Sequence, residues 1–238
     1  MLHVKIANAG YSKNNSYLKN IEFNLNKGEI IGLIGANGAG KSTTIKSILG
    51  VIPHFQGEVE IDNEYKLSYI PEEPILYDKL TLWEHLSLAA SSYDIPEEIW
   101  KIEAEELLKL FHLHPVRNKF PINFSKGMKQ KTLIVLGFMI DPDIYIIDEP
   151  FIGLDPLAIR NLISLLQVKK REGASILMST HVLDSAEKIC DRFIILSQGE
   201  MLSSGDLKEI REESGQPDHT SLLDCFYYLM GLENVESK

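Results

Sequence analysis

Apolar and polar residues alternate through Leu2–Ala9 and again through Ile21–Asn26, the spacing of half-buried β-strands. Gly28 punctuates a turn. Glu29–Ile34 then forms a short apolar strand that runs into a glycine-rich stretch. Lys41–Leu49 has helical spacing, with Gly50 placed to stop it. Gly57–Ile61 and Lys66–Ile70 predict two further strands, and Leu82–Ser92, Glu97–Leu113 and Ser125–Ile140 predict three helices. In the second of these helices, Glu97, Glu98, Glu103, Glu105 and Glu106 mark a solvated face, so Ile99, Ile102, Leu107 and Leu110 are expected to point inward. Strand–helix alternation then resumes. Ile144–Ile147 is a fully apolar strand of the kind buried in a parallel sheet. Pro156–Lys170 predicts a helix, Ser175–Ser179 a strand, Val182–Cys190 a helix and Arg192–Leu196 a strand. Gln198-Gly199-Glu200 predicts a hairpin turn into Met201–Ser204. The tail, Leu207–Leu232, is expected to be helical and broken near Gly215 and Pro217. The alternation argues for an α/β sandwich interrupted by a helical insert at about residues 74–140.

Composition narrows the function classes. The 238 residues are 44% hydrophobic and 24% charged, which excludes disorder as the main state. Acidic residues number 34 against 24 basic ones, a net charge of −10. That balance lacks the basic face an unspecific DNA-binding protein needs, and nucleic acid is not an expected partner. It also disfavours direct binding to anionic lipid. The longest apolar run, Leu133–Ile140, is eight residues broken by Gly137, far short of the roughly 20 a membrane-spanning helix requires. Met1–Ala9 lacks a basic region followed by an apolar one, so no export signal is expected. Cys190 and Cys225 stand in no CxxC pattern and read as free thiols, which points to a reducing, cytoplasmic location. His85, His112 and His114 read as structural, and the short HLH at 112–114 is not a metal site.

The chemistry begins at Gly35-Ala-Asn37-Gly38-Ala-Gly40-Lys41-Ser42, followed by Thr43. It fits GxxxxGK[ST] after a predicted strand and at the start of a predicted helix. Glycines let backbone N–H groups turn inward around phosphate oxygens, and the helix N-terminus adds partial positive charge. Lys41 can reach the β- and γ-phosphates, and the Ser42 hydroxyl can ligate Mg²⁺. Downstream, Ile144-Tyr-Ile-Ile-Asp148-Glu149 delivers acids at the carboxyl end of an apolar strand, where α/β sheets bind ligands. Asp148 is a candidate Mg²⁺ ligand and Glu149 a candidate general base for an attacking water.

Between these motifs lies Phe124-Ser125-Lys126-Gly127-Met128-Lys129-Gln130-Lys131, which resembles the LSGGQ signature of the ABC ATPases. The resemblance covers almost the whole chain. Tyr11 matches the aromatic residue that stacks on adenine, Asp155 the D-loop, and His181 the switch histidine that hydrogen-bonds the γ-phosphate. Within the family the sequence is most similar to ATP-binding subunits of simpler two-part export or ABC-2-type systems, the Ecs type in particular. It departs from the pattern twice. Lys126 and Met128 replace a glycine and the glutamine of the signature, while Ser125 and Gly127 remain. Glu72 stands where the family has its Q-loop glutamine, offering Mg²⁺ a carboxylate.

The resemblance implies a P-loop NTPase three-layer α/β sandwich. It would have a helical signature subdomain at 74–140, a nucleotide-binding core of 1–73 and 141–205 with an antiparallel β-rich N-terminal part, and a helical tail at 206–238. It implies ATP and Mg²⁺ as ligands and a second ATP-binding subunit, expected to be an identical copy. In such a head-to-tail dimer Ser125 and Gly127 of one subunit close over the phosphate loop of the other. It also implies a separate membrane permease that docks near Glu72–Leu82 and holds the chain at the cytoplasmic face of the membrane. The rival classes fit less well. DNA-repair and chromosome-structure members of the family carry long coiled coils, and its translation factors carry two such domains on one chain. A GTPase needs NKxD, whereas Asn118-Lys119-Phe120-Pro121 lacks the acid. A small-molecule P-loop kinase has no use for the signature or D-loop.

Overall fold

The computed structural model of the protein describes residues 1–12, 17–62 and 64–232. In chain order its elements are β1 (Leu2–Gly10), β2 (Leu18–Leu25), β3 (Ile30–Ile34), α1 (Lys41–Ile48), β4 (His54–Ile61), β5 (Leu67–Ile70), α2 (Leu82–Ser92), α3 (Glu97–Leu110), α4 (Lys126–Met139) and β6 (Ile144–Asp148). There follow α5 (Pro156–Arg171), β7 (Ser175–Thr180), α6 (Leu183–Ile189), β8 (Arg192–Ser197), β9 (Glu200–Gly205), α7 (Leu207–Glu213) and α8 (Leu222–Leu229). These elements fall into two compact units: Met1–Tyr65 with the segment from Ser175, and Lys66–Ala174. The second therefore joins β5, β6 and α5 to the predicted helical insert. The last residues of the predicted tail, 233–238, lie outside the described residues.

In the first unit the strand order is β4-β1-β2-β9-β8-β3-β7. Its N-terminal part, β4-β1-β2, is antiparallel. β3 pairs in parallel with both β7 and β8. Sequence pattern follows this pairing. β2 alternates buried and exposed positions, whereas every residue of β3 and β7 is buried, so those two read as continuous runs. The turn from β8 to β9 is Gln198–Gly199, both at positive φ (49° and 81°), as a two-residue hairpin with right-handed strand twist demands. Asp206 caps α7 in a capping box with Glu209. The tail breaks between α7 and α8, around Gly215 and Pro217 as predicted. Glu187 on α6 ties the two together: it accepts from the Leu222 N–H at 2.8 Å and lies 3.9 Å from the Arg211 guanidinium.

In the second unit β5 and β6 are parallel. A Thr81–Glu84 capping box starts α2, and Ser125 caps α4 through the Met128 N–H at 3.3 Å. The face of α3 differs from expectation. Leu107 is buried as predicted, but Ile99 and Ile102 are 58% and 64% exposed and Leu110 is 37% exposed. The buried stripe is Trp100, Ala104, Leu107, Leu108 and Phe111, an i, i+4, i+7, i+8, i+11 series. Trp100 sets the rotation by packing on Trp83 of α2 with ring centroids 5.0 Å apart. An indole buries more area than an isoleucine side chain, so the helix turns its largest side chain inward. At the far end of α5, burial works against the Lys169 ammonium. Its contacts to Asp141 at 2.7 Å and Glu172 at 3.1 Å outweigh burial and hold its pKa above the ordinary lysine value.

Candidate nucleotide site

The first unit carries the phosphate loop between β3 and α1. Gly40, at φ 115°, is the residue before α1, and no side chain caps that helix. Its first-turn N–H groups and partial positive charge therefore face the loop. A Cβ on Gly40 would stand 2.7 Å from Leu18 Cδ2, so only glycine fits both the space and the backbone angle. Ala36, Asn37 and Gly38 are exposed, Gly35, Lys41 and Thr43 are buried, and Ser42 is half-buried. The Lys41 ammonium folds over the loop and donates to the carbonyls of Gly35 at 2.8 Å and Ala36 at 3.3 Å. A buried cation keeps such partners because an unpaired one is costly. Tyr17, which sequence reasoning passed over, brings its hydroxyl up against the Gly38 carbonyl.

Tyr11 follows directly on β1 and is 57% exposed, with the Lys46 ammonium 6.0 Å from its ring centroid. An open aromatic face of this kind can take a flat heterocycle. His181 follows directly on β7 and is exposed. The turn that presents it is pinned by the Val182 N–H donating to Thr180 Oγ1 at 2.9 Å.

In the second unit Asp148 ends β6 at 2% exposure and Glu149 follows at 5%. Glu149 adopts φ 48°, the left-handed region that non-glycine residues seldom occupy. Such backbone strain concentrates at functional positions. Glu72 is exposed in the segment after β5. That segment is pinned further on by His85, whose Nε2 accepts from the Tyr77 N–H at 2.8 Å while Nδ1 meets the Thr81 carbonyl at 2.8 Å. Both ring nitrogens are thus in structural use, as expected for His85.

The signature and D-loop segments come together in this unit. A Cβ on Gly127 would lie 2.6 Å from the Gly153 carbonyl oxygen, so the contact requires glycine there. Asp155 caps α5 through the Ala158 N–H at 2.9 Å and pairs with the Lys131 ammonium at 2.5 Å. The hydrogen bond from Lys131 holds the Asp155 carboxyl below its ordinary pKa. Sequence reasoning quoted Lys131 within the signature segment without assigning it this pairing.

A family model described as "ABC transporter" matches residues 18–152. The chain belongs to the ABC transporter family. This ABC protein is 46% identical to the ABC-type transporter ATP-binding protein EcsA of Bacillus subtilis (strain 168), over 99% of this chain and 98% of that one. It is likewise 46% identical to the ABC transporter ATP-binding protein YthP of the same organism, covering 95% of each. A solved structure of an ATP-binding subunit of an ABC transporter superposes with a TM-score of 0.90 at 43% identity, over 97% of this chain and 99% of that one. The α/β fold is that of the ABC ATPases, and the enzyme is a P-loop ATPase that binds ATP. No helix among the described residues is long and apolar enough to cross a membrane.

Proposed function

We propose that this chain is the ATP-hydrolysing subunit of a two-part exporter, working as a homodimer around two ATP molecules on a separate membrane permease. Support for the permease comes from near-complete coverage of two relatives named as transporter ATP-binding proteins. In this reading Tyr11 stacks on adenine, and the loop N–H groups from Gly35 to Thr43 cradle phosphates, with Asn37, Gly38 and Gly40 at its tip. Lys41 neutralises the β- and γ-phosphates. Glu149 accepts the proton of the attacking water, and His181 hydrogen-bonds the γ-phosphate. Ser125 and Gly127 bind the γ-phosphate held by the second copy, and Asp155 lies at the meeting of the two copies. ATP then favours the closed dimer, and hydrolysis removes the contact that held it closed.

Mg²⁺ fits the donors available. It binds through one or two carboxylates, phosphate oxygens and water rather than through a dedicated protein cage. Among the described residues no cluster of three or more His, Cys, Asp or Glu could hold a metal by itself. Ser42, Asp148 and Glu72 supply hydroxyl and carboxylate oxygens, all hard donors. When bound, Mg²⁺ neutralises charge that develops on the phosphates.

The exposed carboxylate at Glu72 gives one test. Glu72→Gln exchanges an anionic oxygen for a neutral carbonyl, a poorer partner for a hard cation. With permease present, the Mg²⁺ concentration for half-maximal ATPase is expected to rise, or transport per ATP to fall. If neither moves, the metal ligands reduce to Ser42, Asp148 and water.

Attachment to the permease is proposed along Glu72–Leu82, which presents Ile75 at 86% and Tyr77 at 66% exposure. Exposed apolar side chains in one segment mark protein–protein contact. Co-expression with its permease is expected to move the chain from the soluble to the membrane fraction at the cytoplasmic face, and Ile75→Asp to reverse this. Persistent solubility with every encoded candidate permease would support a soluble ABC ATPase instead.

A further inference from the structure

The outer face of α3 carries apolar side chains that the helix cannot hide. Ile99 and Ile102 are 58% and 64% exposed, and Leu110 is 37% exposed. Trp100, Leu107 and Phe111 hold the opposite, buried side, so no rotation of α3 covers the outer one without uncovering the indole. A single exposed isoleucine needs no explanation, but a stripe that recurs at the helical period marks a contact surface. Residues three and four apart share a helix face, which sets Glu103 and Glu106 among these apolar residues.

The charge around the stripe is negative. Glu106 is exposed and Glu103 half-buried. Glu103 lies in the field of Asp141, which follows α4, and of Glu172, which follows α5. Those two side chains are 66% and 57% exposed. The cation beside these four carboxylates is Lys169, and Asp141 and Glu172 already hold its ammonium at 2.7 and 3.1 Å. Lys109 stands at one end of the stripe, and Lys101 is paired with Glu97. Partial burial pushes the Glu103 carboxyl above its ordinary pKa. Lys169 pulls against this, and Asp141, Glu106 and Glu172 add to it. Tyr145 of β6 reports the same field. Its hydroxyl is buried without a hydrogen-bond partner among the described residues, and burial, then Asp141, Glu103 and Glu172, push its pKa up. Surplus negative charge of this kind attracts cations.

We propose that the outer face of α3, with Asp141 and Glu172 beside it, is a docking surface for a cationic amphipathic helix of another protein. Ile99, Ile102 and Leu110 meet the apolar stripe of that helix, and the carboxylates meet its lysines or arginines. Charge decides among the occupants. A second copy of this chain has a net charge of −10, and an anionic bilayer is negative as well, so neither complements the surface. None of its residues lies in Glu72–Leu82, the segment proposed for the permease, and the surface does not depend on the nucleotide.

The probe is a synthetic peptide of about 18 residues, long enough to form a helix, with leucines on one face and lysines on the other. Its Kd is measured by fluorescence anisotropy on the full chain at low salt and at about 0.5 M salt, where surface charges are screened. The parent is expected to bind it at least about 10-fold more tightly than a scrambled peptide of the same composition or one with glutamate for every lysine. Ile99→Ser with Ile102→Ser should raise Kd about 10-fold or more at both salt concentrations. Glu106→Gln with Glu172→Gln should raise it about 3- to 10-fold at low salt, with the difference gone at high salt. Glu58→Gln with Glu60→Gln, on β4, should leave it within about twofold. Amide exchange in α3 should slow when the peptide is bound. A parent that does not bind the leucine–lysine peptide overturns the proposal. Equal binding of the scrambled or acidic peptide overturns it too, as does an equal loss in the β4 variant, since each reports attraction to net charge alone. If Ile99→Ser with Ile102→Ser changes the sedimentation of the protein and not its peptide binding, the face belongs to a second copy and the proposal falls.

Discussion

Glu149→Gln is expected to lower kcat by about 10²- to 10⁴-fold, the range for losing a general base, while ATP binding persists. The glutamine amide keeps the size and hydrogen-bonding reach of the carboxylate but cannot accept the proton of an attacking water at neutral pH. Position favours this role. Glu149 directly follows the buried apolar strand β6, is 5% exposed, and is held in left-handed backbone geometry by the tight turn that follows, where the Ile152 N–H donates to its carbonyl at 3.3 Å. A conformation of that kind costs about 1–3 kcal/mol and persists only where the surrounding structure imposes it. Because binding survives and turnover does not, the variant with ATP should elute as a dimer in size-exclusion chromatography, and the parent as a monomer once ATP is spent. Parent-level hydrolysis by Glu149→Gln would assign the base to another residue.

Lys41→Ala is expected to weaken ATP binding by about 10²-fold, on the order of two lost charge-assisted hydrogen bonds. Lys41 is only 6% exposed. Removing it also frees the Gly35 and Ala36 carbonyls it now holds. Lys41→Met separates these effects from loss of packing, since it keeps most of the apolar stem. Both variants should bind a fluorescent ATP analogue poorly and adenosine normally, and melt within a few degrees of the parent. An unchanged Kd for the analogue in both variants would remove Lys41 from the phosphate site.

Much of this molecule is legible one segment at a time. The periods of two and 3.6 place the strands and helices to within three residues at either end, because they record which backbone a segment adopts locally. The phosphate loop is legible for the same reason: GxxxxGK[ST] writes its backbone requirements directly into glycines, a lysine and a hydroxyl. Asp148 and Glu149 are marked by the apolar strand before them, and the break in the tail by Gly215 and Pro217.

Other features depend on residues far apart in the chain. Two apolar stripes overlap on α3, one through Ile99 and Ile102 and one through Trp100 and Leu107. Only packing against Trp83 decides which is buried. Nothing local in Asp155 announces that Lys131 will pair with it, or that Gly127 must be small because the Gly153 carbonyl approaches it. Tyr17 reads as one more aromatic residue before a strand, and only the fold shows its backbone N–H on the Ala9 carbonyl and its own carbonyl against Gly199. Periodicity and motif spacing determine the conformation of each segment and the kind of chemistry it carries. Which side chain fastens which loop is decided by three-dimensional contact, since the energy of a hydrogen bond or an ion pair depends on distance in space and not on distance along the chain.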